Sequence, residues 1–347
     1  MDHKQRNNIR LLVITQKVDA DDALLGFMHR WLGEFSKHFE SIVAIGLGKG
    51  TVSLPANVAV MSLGKETKPS RLHYVLNFYR YIWRERKNYD AVFVHMNQEY
   101  VLLGALLWKI LGKKIYLWRN HPMGDFSTRL AVILSTKVFA TSKKAYTMRF
   151  KKTSTMPVGI DTEFFKRDPS IRRDRSSILY LGRVSPVKHI GTILKGIKEL
   201  KKPITLVGEP MPYEKAYGEE MKKLASDLGI ESLVTWGLPV SNTSTVEYYN
   251  SFGILVNATP TGSFDKTMFE GMACEQVQLV SNKVFKGEID ERLIFAEDDP
   301  NDLAERARKL LSLSAVEYEA IGAKLRQYVV DNHSLASLAR KLKEVIK

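Results

Sequence analysis

Strand-like and helix-like segments alternate along this chain, and that alternation limits its fold more than any other feature. The first strand, residues 9–15, is almost continuously apolar, as is typical of a parallel sheet covered on both faces. The β–α alternation runs to about residue 141 and restarts at residue 177. Residues 161–176 between them are charged, contain Pro169 and lack a clean periodicity. The pattern predicts two doubly wound α/β domains joined by a linker.

The predicted boundaries are a first domain at 1–160, a linker at 161–176, a second domain at 177–331 and a terminal helical segment at 332–347. The first helix is expected at about 22–39. Two such domains would place a cleft between the carboxyl ends of two sheets, where ligands bind in folds of this class.

The chain is strongly basic, with a formal net charge of +14 over 347 residues. Such a balance favours polyanions, which include nucleic acid, an acidic membrane surface and phosphorylated ligands. Helix-turn-helix, zinc-finger and RRM signatures are absent from the sequence, so nucleic acid binding has charge as its only support. The single cysteine, Cys274, excludes an intrachain disulfide and fits a reducing cytosol. We expect neither a signal peptide, because the polar N-terminus has no apolar core, nor a transmembrane span, because the apolar runs are too short.

Residues 259–274 combine a loop-like first half with a helical second half that begins near Asp265. A helix start offers free backbone N–H groups to an anion, and Lys266 adds a positive charge. Glu270 lies one turn further along on the same side of the helix. This arrangement suits a nucleotide, with the diphosphate at the amides and ribose hydroxyls at the carboxylate. The alternative is an ordinary strand–loop–helix with a solvated Lys266–Glu270 pair.

A second basic segment, Leu181-Gly-Arg-Val-Ser-Pro-Val-Lys188, follows the first strand of the second domain. Gly182 allows a close approach of the backbone, and Arg183 and Lys188 would direct two cations at the cleft. Taken alone, both cations could simply be solvated. They share the carboxyl ends of strands in one domain with the 259–274 segment, however, and this favours a common anion site.

The ordered set of motifs resembles the donor half of retaining GT-B glycosyltransferases of family 4. The set comprises Gly-Arg-(x)4-Lys at 182–188, Val207-Gly-Glu-Pro210, Trp236-Gly237 and Ser263-Phe-Asp-Lys-(x)3-Glu270. Residues 156–165 are similar to the interdomain signature of that family. The resemblance implies two Rossmann-like domains facing a central cleft, with a C-terminal helix that crosses back to the first domain.

The same resemblance assigns roles to residues of the donor site. It implies that Arg183 and Lys188 hold the donor diphosphate and stabilise it as it leaves, and that Glu270 accepts from the ribose. The remaining donor-site residues that it implies are Gly182, Gly208, Gly237, Leu238, Gly262, Ser263, Phe264, Asp265, Lys266 and Thr267. One position departs from the family pattern, because Gly262 stands where a sugar-binding glutamate is usual. Asp265 in the same loop is a candidate to replace it.

The first domain is expected to hold the acceptor. His121 follows a strand in Trp118-Arg-Asn-His-Pro-Met-Gly124, and a histidine here lies beside the reacting sugar in relatives. We predict His121 as the catalytic-site residue of this domain, with Arg119 and Asn120 nearby. A turn-capping role before Pro122 is the alternative. His95 is a similar strand-end candidate that fits a buried structural role equally well.

Two acidic positions and one helix complete the candidates. Asp21 and Asp22 are candidates for recognising acceptor hydroxyls, although capping of a helix that starts near Asp22 is simpler. The Asp19-Ala-Asp21 pattern imitates a metal-binding motif of another glycosyltransferase fold. Because the rest of the chain does not have that fold, no metal site is predicted. The helix at 71–87 carries aromatic and basic residues, which fits either an anionic lipid surface or an ordinary domain helix.

The predicted function is transfer of a sugar from a UDP- or GDP-linked donor to a hydroxyl of a glycan or lipid-linked acceptor, without a metal or cofactor. The expected location is cytoplasmic, with an anionic membrane surface as a further partner, and nucleic acid is not an expected partner. Two alternatives remain, namely a sugar-nucleotide epimerase of the same fold and a non-catalytic binder of nucleotides or polyanions.

Overall fold

The computed structural model describes residues 9–67, 70–262 and 264–347, and the chain divides into two compact units. The first unit contains the residues up to Gly159 together with Leu335–Lys347, and the second is Ile160–Ser334. Each unit is built on a sheet in which every strand pairing is parallel. The predicted α/β class with two Rossmann-like units is confirmed.

The first unit has a seven-stranded sheet in the order β3-β2-β1-β4-β5-β6-β7. Its elements are β1 (Arg10–Val18), α1 (Phe27–Phe35), β2 (Ser41–Lys49), β3 (Val58–Ser62), α2 (Arg71–Arg84), β4 (Ala91–His95), α3 (Glu99–Ile110), β5 (Lys114–Trp118), α4 (Phe126–Leu134), β6 (Lys137–Ala140) and β7 (Thr153–Thr155).

The second unit has a five-stranded sheet in the order β10-β9-β8-β11-β12. Its elements are β8 (Asp174–Leu181), α5 (Ile190–Leu200), β9 (Ile204–Val207), α6 (Lys215–Asp227), β10 (Val234–Gly237), α7 (Thr245–Ser251), β11 (Phe252–Asn257), α8 (Lys266–Ala273), β12 (Val277–Val280), α9 (Pro300–Leu311) and α10 (Ala315–His333). The last helix, α11 (Leu335–Val345), belongs to the first unit.

Alternate residues of β1 face opposite sides of the first sheet, which is the period of an extended strand. Leu11 and Val13 pack into a core shared with α1 and α11, whereas Leu12 and Ile14 pack into a core shared with α2, α3 and α4. The Tyr116 hydroxyl of β5 donates to the Val345 carbonyl at 3.3 Å. The terminal helix therefore packs on the first sheet.

The strand orders locate the expected ligand edges. In the first sheet the chain reverses its direction of winding between β1 and β4, and in the second sheet it does so between β8 and β11. Ligands of doubly wound folds bind outside the carboxyl ends of the strands at this point. The segments after β8 and β11 therefore lie side by side at one edge of the second sheet.

Two predicted segments differ from the structure. The first helix begins at Phe27 instead of 22, because the Asp22 carboxylate accepts from the N–H groups of Leu24 and Leu25 and holds a turn there. Residues 161–176 are part of the second unit, where Asn250 Oδ1 accepts from Arg167 Nη1 at 3.0 Å and from Asp168 N at 2.8 Å. The charge of this segment is typical of a linker, but two of its arginines, Arg167 and Arg173, donate to groups of the second unit. Among the helices that the described ranges form, none has the length and apolarity needed to cross a bilayer.

Candidate functional site

The turns after β8, β9 and β10 are joined by backbone hydrogen bonds at the carboxyl edge of the second sheet. Gly182 N–H donates to the Val207 carbonyl at 3.0 Å, and Gly208 N–H donates to the Gly237 carbonyl at 3.2 Å. Gly208 has a φ of +138°, and a Cβ there would lie 1.9 Å from the Gly182 carbonyl oxygen. The edge therefore requires glycine at this position.

Lys188 and Asp265 form an ion pair at this edge. Lys188 ends a short 3-10 turn after β8, and Asp265 is the N-cap of α8. Asn257 Nδ2 also donates to the Asp265 carboxylate at 3.1 Å, and Thr259 Oγ1 lies 3.4 Å from Lys188 Nζ. The two charged side chains are only 14% and 13% exposed.

The environment of Asp265 keeps it ionised. Burial by itself would raise its pKa, but the charge of Lys188 and the hydrogen bonds from Lys188 and Asn257 outweigh burial and hold the pKa below its usual value. The carboxylate is thus a permanent acceptor between the turn after β8 and the start of α8.

Arg183 faces a carboxylate that the sequence did not single out. Its Nε lies 3.7 Å from Glu214 Oε2, and the other Glu214 oxygen accepts from the buried Ser185 hydroxyl at 2.8 Å. The Tyr180 hydroxyl donates to the Arg183 carbonyl at 2.7 Å. Glu214 follows β9, so its place after a strand end of the same sheet was the one available signal.

Glu270 lies in the interior of the second unit and is 3% exposed. The Tyr249 hydroxyl donates to Glu270 Oε2 at 3.0 Å, and Asn242 Nδ2 lies 3.4 Å from Oε1. Burial, and next the Glu270 charge, raise the pKa of Tyr249 well above its usual value, so this hydroxyl stays a donor. The pattern around Glu270 contained no sign of Tyr249 or Asn242, since both come from other segments.

The loop between β11 and α8 is anchored at its middle. Glu297 accepts from the Thr261 N–H at 2.8 Å and from the Thr261 hydroxyl, whose oxygen accepts in turn from the Lys283 N–H at 2.9 Å. Gly262 has a φ of +114°, which favours glycine. The predicted donor residue Ser263 lies outside the described residues.

The remaining predicted donor residues occupy different surroundings. Phe264 packs in an aromatic cluster with Phe269 and Phe285, at ring-centroid distances of 5.0 Å and 5.7 Å. Lys266 and Thr267, at the start of α8, are partly exposed. Leu238 follows β10 and is 83% exposed. The Phe264 side chain supports the loop, whereas the Leu238 side chain is accessible to a ligand.

His121 follows β5 at the carboxyl edge of the first sheet and is exposed. Its Nδ1 lies 3.1 Å from Met123 N and 3.0 Å from the Met123 carbonyl oxygen, so this nitrogen is engaged within the turn, as the turn-capping alternative expects. With Nδ1 used in this way, Nε2 is the nitrogen that remains for a ligand. The two readings of His121 are therefore compatible.

The neighbours of His121 hold the loop in place. Arg119 Nη2 lies 3.3 Å from the Met123 carbonyl and from Thr128 Oγ1, and burial lowers the pKa of this guanidinium. Asn120 Oδ1 accepts from the Thr141 N–H at 2.7 Å, which ties the ends of β5 and β6 together. Both side chains position the loop.

His95 and the acidic residues after β1 make structural contacts. His95 is buried among aromatic rings, with Trp31 at 5.5 Å and Phe27 at 5.8 Å between centroids. Asp22 Oδ2 pairs with Lys17 Nζ at 2.7 Å, while Asp21 is exposed. Of these residues, Asp21 is the one most open to an acceptor.

Some of the donor candidates meet at one edge. Lys188 and Asp265, 77 positions apart in sequence, meet beside Thr259 and the glycine turns, with Glu270 one helical turn inside. At the first sheet the structure brings His121, Arg119 and Asn120 into one loop, with His95 buried below in β4.

A family model described as "Glycosyl transferases group 1" matches residues 175–313, which include Arg183, Lys188 and α8. D-inositol 3-phosphate glycosyltransferase 2 of Catenulispora acidiphila is 27% identical over 142 residues, 35% of this chain and 33% of that protein. The D-inositol 3-phosphate glycosyltransferase of Frankia alni is 27% identical over 133 residues, 33% of each protein. The aligned part thus spans about a third of these relatives.

Solved structures match over the whole chain. Anabaena HepE in complex with UDP has a TM-score of 0.75 and 14% identity, covering 97% of this chain and 99% of that one. Sucrose-phosphate synthase of Thermosynechococcus elongatus has a TM-score of 0.77 and 15% identity, covering 97% and 98%. At such identities the likeness concerns the fold. Residues 175–313 thus match the glycosyl transferases group 1 family model, and the chain has the GT-B fold.

Proposed function

We propose that this chain is a retaining glycosyltransferase of family 4, which transfers a sugar from a UDP- or GDP-sugar to a hydroxyl of a glycan or lipid-linked acceptor. The observation that carries the proposal is the convergence of Arg183, Lys188 and the start of α8 at one edge of the second sheet. This edge lies within the region matched by the family model, and the similar structure of Anabaena HepE binds UDP.

The chemistry follows from where charge develops. The bond between the anomeric carbon and the diphosphate oxygen breaks, the acceptor oxygen bonds to that carbon, and the acceptor proton leaves to the departing phosphate. The diphosphate gains negative charge in this step, and in the proposal Arg183, Lys188 and the positive end of α8 stabilise it. Because these charges come from the protein, the proposal needs neither a metal nor a cofactor.

Donor binding would rearrange the ion pair. A diphosphate carries more charge than one carboxylate, so its oxygens compete with Asp265 for Lys188. The released Asp265 carboxylate can then accept from a hydroxyl of the donor sugar. This would fill the role for which Gly262 has no side chain.

The acceptor is placed at the first sheet, where His121 presents Nε2 and Asp21 is exposed. Exclusion of water from the bound donor would limit its hydrolysis. The proposal keeps the cytoplasmic location and gives nucleic acid no role.

A thermal-shift panel of UDP, GDP and their sugars, followed by nucleoside diphosphate release with and without acceptors, tests the proposal. Arg183→Ala and Glu270→Gln are each expected to weaken donor binding about tenfold or more, a loss of about 1.4 kcal/mol. Lys195→Ala removes an equal charge from an exposed position of α5 and is expected to change nothing.

Three results would contradict the proposal. Stabilisation by nucleotides without diphosphate release would identify a non-catalytic nucleotide binder. Conversion of one sugar nucleotide into another without an acceptor would identify an epimerase. Binding of nucleic acid that salt abolishes, with no nucleotide effect, would identify a polyanion binder. Unchanged donor binding and turnover in Glu270→Gln would remove that residue from the site.

A further inference from the structure

Three neighbouring helices of the first unit expose an apolar face to solvent. We call this the α2–α4 face. Nine large apolar side chains of these helices are between 37% and 80% exposed, namely Leu72, Leu76, Tyr79 and Trp83 on α2, Leu106 and Ile110 on α3, and Phe126, Leu130 and Ile133 on α4. Single exposed apolar residues are ordinary, but a group on adjacent helices marks an interaction surface.

The nine exposed side chains are not part of the hydrophobic core of this unit. The inner sides of the three helices fill one core below the sheet face with Phe78, Trp108 and Val132. On α2 the exposed positions 72, 76, 79 and 83 follow a helical spacing and form a second stripe. The Tyr79 hydroxyl donates to the Leu103 carbonyl at 2.8 Å, which holds α2 against α3. The helices therefore present a joint outer surface.

The charges on this surface are predominantly positive. Arg71 and Arg80 are exposed on α2, and the helix itself contains no acidic residue. Trp83 lies under the Arg86 guanidinium, with 4.3 Å from Arg86 Cζ to the ring centroid. Exposed bases also stand on α3 and α4, at Lys109 and Arg129.

The acidic residues nearby have local partners or lie at helix ends. Glu85 Oε1 accepts from Arg84 Nε at 2.8 Å, and Asp125 is the N-cap of α4. Glu99 is exposed in the first turn of α3. The face thus combines exposed apolar side chains with an excess of bases.

We infer that the α2–α4 face docks on the surface of an anionic lipid bilayer. Leucine, isoleucine and phenylalanine side chains enter the boundary between headgroups and acyl chains, tryptophan and tyrosine lie at the headgroup level, and the bases contact anionic headgroups. A second copy of the chain fits this face less well, because symmetric pairing would bring the bases of both α2 helices together.

Docking in this way places the His121 loop at the bilayer. Met123 in that loop is 70% exposed, and Phe126 follows in the first turn of α4. A hydroxyl carried by a lipid would therefore arrive beside His121. The arrival of a lipid-borne hydroxyl at His121 rests on the proposed function, whereas the docking does not. Vesicle binding without transferase activity would therefore refute the role of His121 and leave the docking intact.

Flotation of the full chain with vesicles tests the docking. Vesicles of phosphatidylcholine with about a third phosphatidylglycerol are expected to carry the protein, and phosphatidylcholine alone much less. The double variant Leu72→Ser/Leu76→Ser is expected to lower the apparent affinity about tenfold or more, and Arg71→Ser/Arg80→Ser about tenfold with weaker salt dependence. Val316→Ser, an exposed apolar position on α10 of the second unit, is the matched control and should bind as the unaltered protein does.

Fluorescence reports the depth of docking. Trp83 is exposed, whereas Trp31, Trp108 and Trp118 are buried and Trp236 is partly buried. Lipids brominated in the acyl chains are expected to quench the Trp83 emission, and Trp83→Phe should still bind but lose that quenching. Absence of flotation with anionic vesicles would overturn the inference. So would a dimer in sedimentation velocity that Leu72→Ser/Leu76→Ser converts to a monomer, because the face would then be an interface between copies.

Discussion

The two units end their sheets in different ways. At the carboxyl edge of the second sheet, charged side chains pair with each other, Lys188 with Asp265 and Arg183 with Glu214. At the carboxyl edge of the first sheet, His121 is exposed and its loop leads into an apolar helix start at Phe126. The first sheet also has an ion pair at this edge, Lys17 with Asp22 after β1, but the loop after β5 that carries His121 is open.

The surface helices of the two units also differ, because one carries paired charges and the other carries apolar side chains. On α9 of the second unit, Lys309 pairs with Glu305 at 2.6 Å and Arg306 with Asp302 at 2.8 Å, both four positions apart. Such pairs are typical of a helix that faces water. The outer stripe of α2 has leucines and a tryptophan instead.

Because both units share one architecture, the difference comes from side chains and not from the fold. Paired charges that a small anion can take over suit a nucleotide diphosphate. An open edge next to an apolar basic surface suits a larger acceptor held at a membrane. Under the proposed function the contrast corresponds to a donor site on one unit and an acceptor site on the other, and this can be tested at each edge.

The largest effect is expected from Gly208→Ala, which would disrupt the hydrogen-bonded turns at the carboxyl edge of the second sheet. The new Cβ would meet the Gly182 carbonyl oxygen at 1.9 Å with φ at +138°, so we expect a loss of at least about 3 kcal/mol in the free energy of unfolding of the second unit. Gly191→Ala in α5 is the control, since the new Cβ would lie 3.5 Å from its nearest neighbour, Leu224 of α6, and the change in the free energy of unfolding should stay within about 1 kcal/mol. Urea unfolding measures the stability of both variants. Equal midpoints would contradict the conclusion that position 208 requires glycine.

A smaller effect is expected from His121→Ala, which probes the open edge and rests on the proposed function. The turnover number should fall about 100-fold, while the affinity for UDP should stay within about twofold, because the residue lies in the first unit. His38→Ala, a partly exposed histidine that contacts Glu34 at 3.4 Å, serves as the control. If UDP affinity fell as much as turnover, the assignment of donor and acceptor to separate units would be wrong.

The smallest effect is expected from alkaline pH on the helix layer beneath the α2–α4 face. Burial raises the pKa of Tyr89 and of Tyr100 to about 12. The folded state therefore holds these protons more tightly, so their contribution to stability is present below the unfolded pKa of about 10 and is lost as the pH rises through about 12. Urea midpoints of the first unit should decline over that range.

Tyr89→Phe removes one of the two groups and should reduce the slope of that decline. Tyr213→Phe changes an exposed tyrosine of the second unit and should leave the slope unchanged. Identical slopes for the original protein and Tyr89→Phe would show that this tyrosine does not couple the layer to pH.

Much of the fold followed from local patterns. The first strand, β1, lies close to its predicted position at 9–15, since a short apolar run is a direct sign of a buried strand. The start of α1 differed because a single carboxylate, Asp22, holds a turn that periodicity does not reveal. Residues 161–176 differed because their charge suggested solvent, whereas Arg173 donates to the carbonyls of Tyr249 and Cys274 inside the second unit.

By itself, the sequence determined the two α/β units, the basic balance, the strand-end positions of Arg183 and Lys188, and the position of Glu270 in the helix that follows β11. These depend on local periodicity and on the rule that parallel strands end at one edge. The tertiary structure alone decided which groups meet there, including Tyr249 against Glu270 and Glu214 beside Arg183. It also decided that α2, α3 and α4 share one outer face. Partners distant in sequence are selected by packing in three dimensions, and a pattern of apolar residues does not distinguish an inner face from an outer one until the helix has been placed.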